Sequence, residues 1–225
     1  LAQEAALEQE RKCPARPIPY LTVSREVLVG IDADERATHC EVEQIEQSQE
    51  NKFFLPGHTL STNISPSNDL AAVVSDKNLV VIVVPSHLMR AMTVKMSGHL
   101  FDRSVIVSAS KGIEQITHLT MSGVIEENLP VVTKDRLAVI SGPSFAKEVV
   151  QKMPTSVTLA CKDSDTAAAV QHAFATDYFR VYTSDDVTGV ELGGAVKNVI
   201  AIAAGILDGL GLGLNTRAAL ITRGM

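Results

Sequence analysis

Lys197 and Asn198 lie in the middle of VELGGAVKNVIAIAAGILDGL, a run over 190–210 with no proline and with apolar residues on every face. That pattern predicts a helix buried on all sides. An ammonium buried without a partner costs several kcal/mol, so Lys197 needs a reason to be there. Glu191 lies roughly 120° around the helix from it and is no intrahelical partner. Asp208 lies on nearly the same face but roughly 16 Å further along. The partner must come from another element or be a ligand. The alternative is a lysine that snorkels to the surface beside a tight helix crossing. Gly193, Gly194 and Ala195, one turn earlier, cost helix stability and leave room for another backbone or a flat ligand. The uncharged stretch 199–207 is too short to cross a bilayer.

Further polar signals follow apolar runs. Lys111 stands beside Gly112 in SASKGIE, where a lysine can reach a phosphate or a carbonyl oxygen. Gly142-Pro143-Ser144 opens a helix whose N–H groups and Ser144 hydroxyl suit an anion, although a plain helix cap reads the same way. His87 follows Pro85-Ser86, but one histidine at a helix start is more often structural. Asp32 and Asp34 sit just past a strand, where an acid in a dinucleotide fold meets the ribose hydroxyls; a turn or a cap fits equally.

The elements that must carry these residues alternate. Strands are predicted over 27–30, 79–85, 104–109, 137–141, 156–160 and 179–182. Helices are predicted over 38–51, 69–74, 87–100, 114–127, from 142 onward, and over 165–175. Such alternation predicts a parallel sheet covered on both faces, with ligands at the carboxyl ends of its strands. After 183–186 no strand follows. A helix over 187–210, a GLGLN loop and a helix from 216 complete the chain. The fold class is therefore α/β: a Rossmann-like parallel sheet domain over 25–184, incomplete at its N-terminus, then the beginning of an all-α domain over 185–225. Residues 1–24 form an atypical segment, either a single helix or a loose tail, with three prolines in CPARPIPY and no core-forming pattern.

The net charge of −6 argues against a nucleic-acid surface or an anionic membrane as partner. Three scattered cysteines, none at metal-ligand spacing, point to free thiols in a reducing compartment and to no metal. No apolar signal core stands at the start of the sequence.

Taken together, FFLPG (53–57), VVPS (83–86), SKGIE (110–114), SGPSFAKEV (141–149), RVYTSDDVTGVELGGAVKNVIAIAAGILDGLGLG (180–213) and NTRAALITRG (215–224) resemble the NAD(P)-dependent glycerol-3-phosphate dehydrogenase family, collinearly over roughly 27–225. The resemblance implies reversible reduction of dihydroxyacetone phosphate to sn-glycerol 3-phosphate with NAD or NADP. It implies Lys197 as the proton donor or acceptor at the substrate C2 oxygen, with Asn198 beside it. Lys111 resembles the second active-site lysine, near both substrate and cofactor. Gly142 and Ser144 resemble substrate contacts, and Ala146, Pro85 and Asp32 are placed on the cofactor side. Burial would lower the pKa of the catalytic lysine toward a useful range. The resemblance further implies a homodimer at full length, with no membrane span and no nucleic acid. It implies a cytoplasmic place in carbohydrate, glycerol-3-phosphate and phospholipid metabolism.

The departures count as much. No glycine precedes Gly30, so the glycine-rich cofactor loop of the family has no counterpart. Other substrate-gripping residues of the family would fall beyond Met225, and this stretch alone is expected to be weakly active or inactive. Two rivals stand beside this reading. One is another dehydrogenase with a sheet domain and a helical domain, acting on 3-hydroxyacids or sugar acids. The other is a non-catalytic chain that binds partners through exposed helix surface.

Overall fold

In a computed structural model, residues 20–23, 27–31, 39–52, 54–132 and 134–224 are described, with side chains from residue 42 onward. The turn with Asp32 and Asp34, and most of the atypical segment, lie outside the described residues. Eight strands form one sheet: β1 (Tyr20–Val23), β2 (Val27–Ile31), β3 (Ile64–Ser67), β4 (Leu79–Val83), β5 (Val105–Ser108), β6 (Leu137–Ser141), β7 (Thr155–Cys161) and β8 (Phe179–Ser184). Their spatial order is β3-β1-β2-β4-β5-β6-β7-β8. The parallel heart is β2-β4-β5-β6, with Val29 opposite Val81, Val81 opposite Val107, and Val107 opposite Ala138.

The sheet is mostly, not wholly, parallel. β1 and β3 add an antiparallel edge that the sequence pattern did not reveal. β7 also runs antiparallel to β6, with Ser141 opposite Thr158. Between β6 and β7 the one helix is the five-residue α5 (Ala146–Val150), too short at ~7 Å to serve by itself as a crossover helix along a five-residue strand of ~17 Å. The chain re-enters the sheet in the opposite direction.

The helices are α1 (His39–Ser48), α2 (Leu70–Val74), α3 (Met89–Met96), α4 (Met121–Asn128), α5 (Ala146–Val150), α6 (Ser164–Phe174), α7 (Val187–Gly209) and α8 (Gly213–Gly224). β4 alternates between two cores, as a fully buried strand must. Val80 and Ile82 pack with Met89, Met92 and Met96 of α3 and Val124 and Ile125 of α4. Leu79 and Val81 face the other side, where Ala167 and Val170 of α6 lie. Asp69, Thr120, Asp163 and Asp186 cap α2, α4, α6 and α7, each accepting a backbone N–H from the first turn.

Two helix expectations change. The helix expected over 114–127 starts only at Met121, because Glu114 to Thr120 closes as a loop through an Ile113–Thr120 bridge. The expected GLGLN loop is shorter, since α8 already begins at Gly213.

The larger correction concerns α7. It is a single 23-residue helix, yet only Val187 and Glu191 are buried in it. Val199 and Ile202 are each 65% exposed and Ile206 57%. Its first half packs on the sheet, with Val187 and Val190 against Val139 of β6 and Ala160 of β7. α8 packs along part of its second half, with Gly224 against Ile200 and Arg217 paired with Asp208, but no described element covers Val199, Ile202 or Ile206. By length and composition α7 could cross a membrane, but Glu191 and Lys197 interrupt it and its start is sheet-bound.

Candidate active site

Three turns meet at the carboxyl ends of β4, β5 and β6. Gly112, after β5, has φ +134°, and a Cβ there would come within 2.8 Å of Ser86 in the turn after β4. The two turns therefore interlock, and only glycine fits. Lys111 Nζ donates to the Gly142 carbonyl at 2.9 Å, which joins the turn after β5 to the turn after β6. α7 then crosses above. A Cβ on Gly194 would lie 2.5 Å from Ser141 Oγ and 3.7 Å from Lys111 Cγ. The small residue permits this close crossing, so the space left by Gly194 is filled by neighbouring protein. Gly193 faces open space.

One helical turn past Gly194, Lys197 comes beside Lys111. Desolvation lowers the Lys111 pKa from its ordinary lysine value, and the Lys197 charge lowers it further. The expected burial of Lys197 is not seen. Its side chain is exposed, because the face of α7 that carries it is covered by no described element. Among the described residues no acid pairs with it: Glu191 bonds elsewhere, and Asp208 pairs with Arg217 at 3.2 Å. Lys111 and Lys197 thus stand on neighbouring elements with no carboxylate paired to either among the described residues, an arrangement suited to an anionic ligand.

Beside them opens an apolar recess of about 200 Å³, with Val81, Val83, Ile140 and Val157 in its wall and Lys111 and Ser144 at its rim. Among the described residues no group of three His, Cys, Asp or Glu side chains could hold a metal ion. The structure thus brings together Lys111, Gly142, Ser144 and Lys197. Pro85 lies exposed in the turn after β4, Ala146 opens α5 and is exposed, and Asn198 is exposed on α7. Asp32 lies outside the described residues.

Sequence reasoning passed over two sets of supports. Arg90 of α3 grips Glu114 through Nε at 2.8 Å and Nη2 at 2.7 Å, and also reaches Glu127 of α4 at 3.0 Å. Glu114 accepts from Thr117 as well. This fork holds the loop that carries Lys111. Arg90 first, and Thr117 second, hold the Glu114 carboxyl down at about 2, against an ordinary 4.5. A depressed carboxylate adds stability that is present above 4.5 and lost as pH falls toward 2. Glu114→Gln is therefore expected to melt below the parent at pH 7. The gap closes between pH 4.5 and 2, as thermal melts across that range would show. The second support is Glu191, weighed in the sequence only as a partner for Lys197. It is 6% exposed and accepts from Ser122 of α4, from the backbone N–H at 2.8 Å and from Oγ at 2.5 Å.

Comparison with known proteins agrees with the geometry. Residues 29–167 match the family described as NAD-dependent glycerol-3-phosphate dehydrogenase N-terminus, and 186–225 its C-terminus. The chain is 53% identical over 182 residues to a glycerol-3-phosphate dehydrogenase [NAD(P)+] of Citrifermentans bemidjiense, covering 81% of this chain and 54% of that relative. It is 50% identical over 184 residues to one of Syntrophotalea carbinolica, covering 82% and 55%. The chain spans about half the length of the curated relatives it matches. Among solved structures it is similar to glycerol-3-phosphate dehydrogenase from Coxiella burnetii, with a TM-score of 0.75 at 30% identity over 90% of this chain and 67% of that one. It is also similar to the Plasmodium falciparum protein of that name, with a TM-score of 0.76 at 28% identity over 86% and 53%.

Proposed function

Because the chain belongs to the NAD-dependent glycerol-3-phosphate dehydrogenase family, we propose that this site serves interconversion of dihydroxyacetone phosphate and sn-glycerol 3-phosphate. The observation that carries the reading is the close crossing of α7 over the strand ends, where Gly194 meets Ser141 and the Lys111 stem one turn before Lys197. The nicotinamide cofactor, NAD or NADP, supplies or accepts the hydride at substrate C2. Lys197 gives a proton to the C2 oxygen during reduction and takes it back during oxidation. Lys111, held by the Gly142 carbonyl, offers its charge to the substrate, and Ser144 offers a hydroxyl at the rim of the recess. Asn198 adjoins the proton donor. Lys111, Pro85 and Ala146 face the cofactor in this reading, and the family resemblance assigns Asp32 to the same role. Sheet residues 25–184 serve the cofactor and 185–225 begin the substrate side. The full-length protein acts as a cytoplasmic homodimer supplying glycerol 3-phosphate to carbohydrate and phospholipid metabolism; its scattered cysteines suit a reducing compartment.

Ligand protection tests the substrate class without relying on turnover. Millimolar dihydroxyacetone phosphate is expected to slow acetylation of Lys111 and Lys197, read by mass spectrometry. Lys134, an exposed lysine paired with Glu126 on α4, is the internal control. Short 3-hydroxyacids should leave both rates unchanged. Equal protection by the hydroxyacids would transfer the site to the rival class of dehydrogenase.

A further inference from the structure

Glu191 is a buried carboxylate with no cation against it among the described residues. Such burial is costly unless donors satisfy the oxygens. Here both donors belong to one residue, Ser122, whose N–H and hydroxyl lie in the first turn of α4. A helix N-terminus favours a negative charge, which offsets part of the cost. An apolar side chain at 191 would fill the space equally well but would let α7 slide on α4. The two bonds to Ser122 fix one register.

That register bears on the lysines. Glu191, Gly194 and Lys197 follow one another at three-residue steps, each turned about 60° from the last. Glu191 meets α4, Gly194 meets Ser141 and the Lys111 stem, and Lys197 follows beside them. α4 supports Lys111 as well, because its Glu127 holds Arg90, which holds Glu114 in the Lys111 loop. One short helix therefore braces both lysines. We propose that Glu191 is a positioning residue that sets the spacing of Lys197 from Lys111 by pinning α7 to α4 through Ser122. The functional weight of this rests on the dehydrogenase reading; the spacing itself does not.

The test reads the titration of Lys111 from the pH dependence of its acetylation, in the 225-residue chain. The Lys197 charge helps to lower the Lys111 pKa, so Lys197→Met is expected to raise it. Glu191→Ala should raise it in the same direction, and Ser122→Ala, which keeps the backbone bond, should raise it less. Glu191→Gln should stay near the parent, since its amide can accept from the N–H and donate to the hydroxyl. Where turnover is measurable, Glu191→Ala should lower kcat by about 10- to 100-fold with cofactor binding unchanged, the scale of an ångström-sized misplacement. Should Glu191→Ala fail to fold, Ser122→Ala and Glu191→Gln carry the comparison. A Lys111 titration unchanged in Glu191→Ala and Ser122→Ala, or unchanged in Lys197→Met, overturns the proposal. Full turnover in Lys197→Met with a shifted Lys111 would instead sink the dehydrogenase chemistry and leave the brace standing.

Discussion

Lys197→Met is expected to lower kcat for dihydroxyacetone phosphate reduction by ~10²–10⁴-fold, the range that a positioned proton donor contributes. Methionine keeps the length of the side chain and removes the proton. The substitution lies on an exposed face of α7, so folding has little to lose from it. Affinity for the reduced cofactor should hold, since Lys197 acts at the substrate oxygen. Single-turnover measurement of reduced-nicotinamide absorbance, with protein in excess, reads the chemical step even where steady turnover is slow. A kcat within threefold of the parent would remove Lys197 from the chemistry.

Lys111→Met should act mainly on substrate binding. A hydrogen bond to a charged group is worth ~1.5–3 kcal/mol, so KM for the phosphate substrate should rise ~10- to 100-fold. The pH dependence follows from the lowered pKa of Lys111, caused by desolvation first and Lys197 second. As pH rises, the parent loses this charge earlier than an ordinary lysine would, and affinity for the anionic substrate falls with it. The variant should lack that limb of the profile. Stability has the opposite sign. A lysine whose folded pKa is depressed costs stability while it is protonated, and the cost is relieved as pH rises toward its unfolded value of 10.5. Lys111→Met should therefore melt no lower than the parent at neutral pH, although it loses the bond to Gly142. Unchanged KM together with a surviving high-pH limb would take Lys111 out of the site.

The continuous apolar runs of β4 and β6 could be read directly, because a strand covered on both faces has no polar side to display. Lys111, Gly142 and Ser144 were legible for a related reason. In a parallel sheet, residues just past the strands share one edge, so position along the chain already implies proximity. β1 and β3 were not legible: β1 follows directly on Pro19 and β3 contains Pro66, which weaken a strand signal, and their pairing depends on backbone partners that a pattern does not name. The reversal of β7 was not legible either; only its register with β6 shows it.

Residue types and order alone determined the α/β alternation, the edge where chemistry belongs, and the lysine on the helix after the last strand. The fold decided what stands around that lysine. Composition made α7 a buried helix, yet burial depends on whether another element arrives to cover each face, and for Val199, Ile202 and Lys197 none of the described elements does. The bonds from Glu191 to Ser122 and from Arg90 to Glu114 also belong to the fold, since they join residues 69 and 24 positions apart. Local periodicity says which way a side chain points from its own helix, but only packing brings a distant donor to meet it.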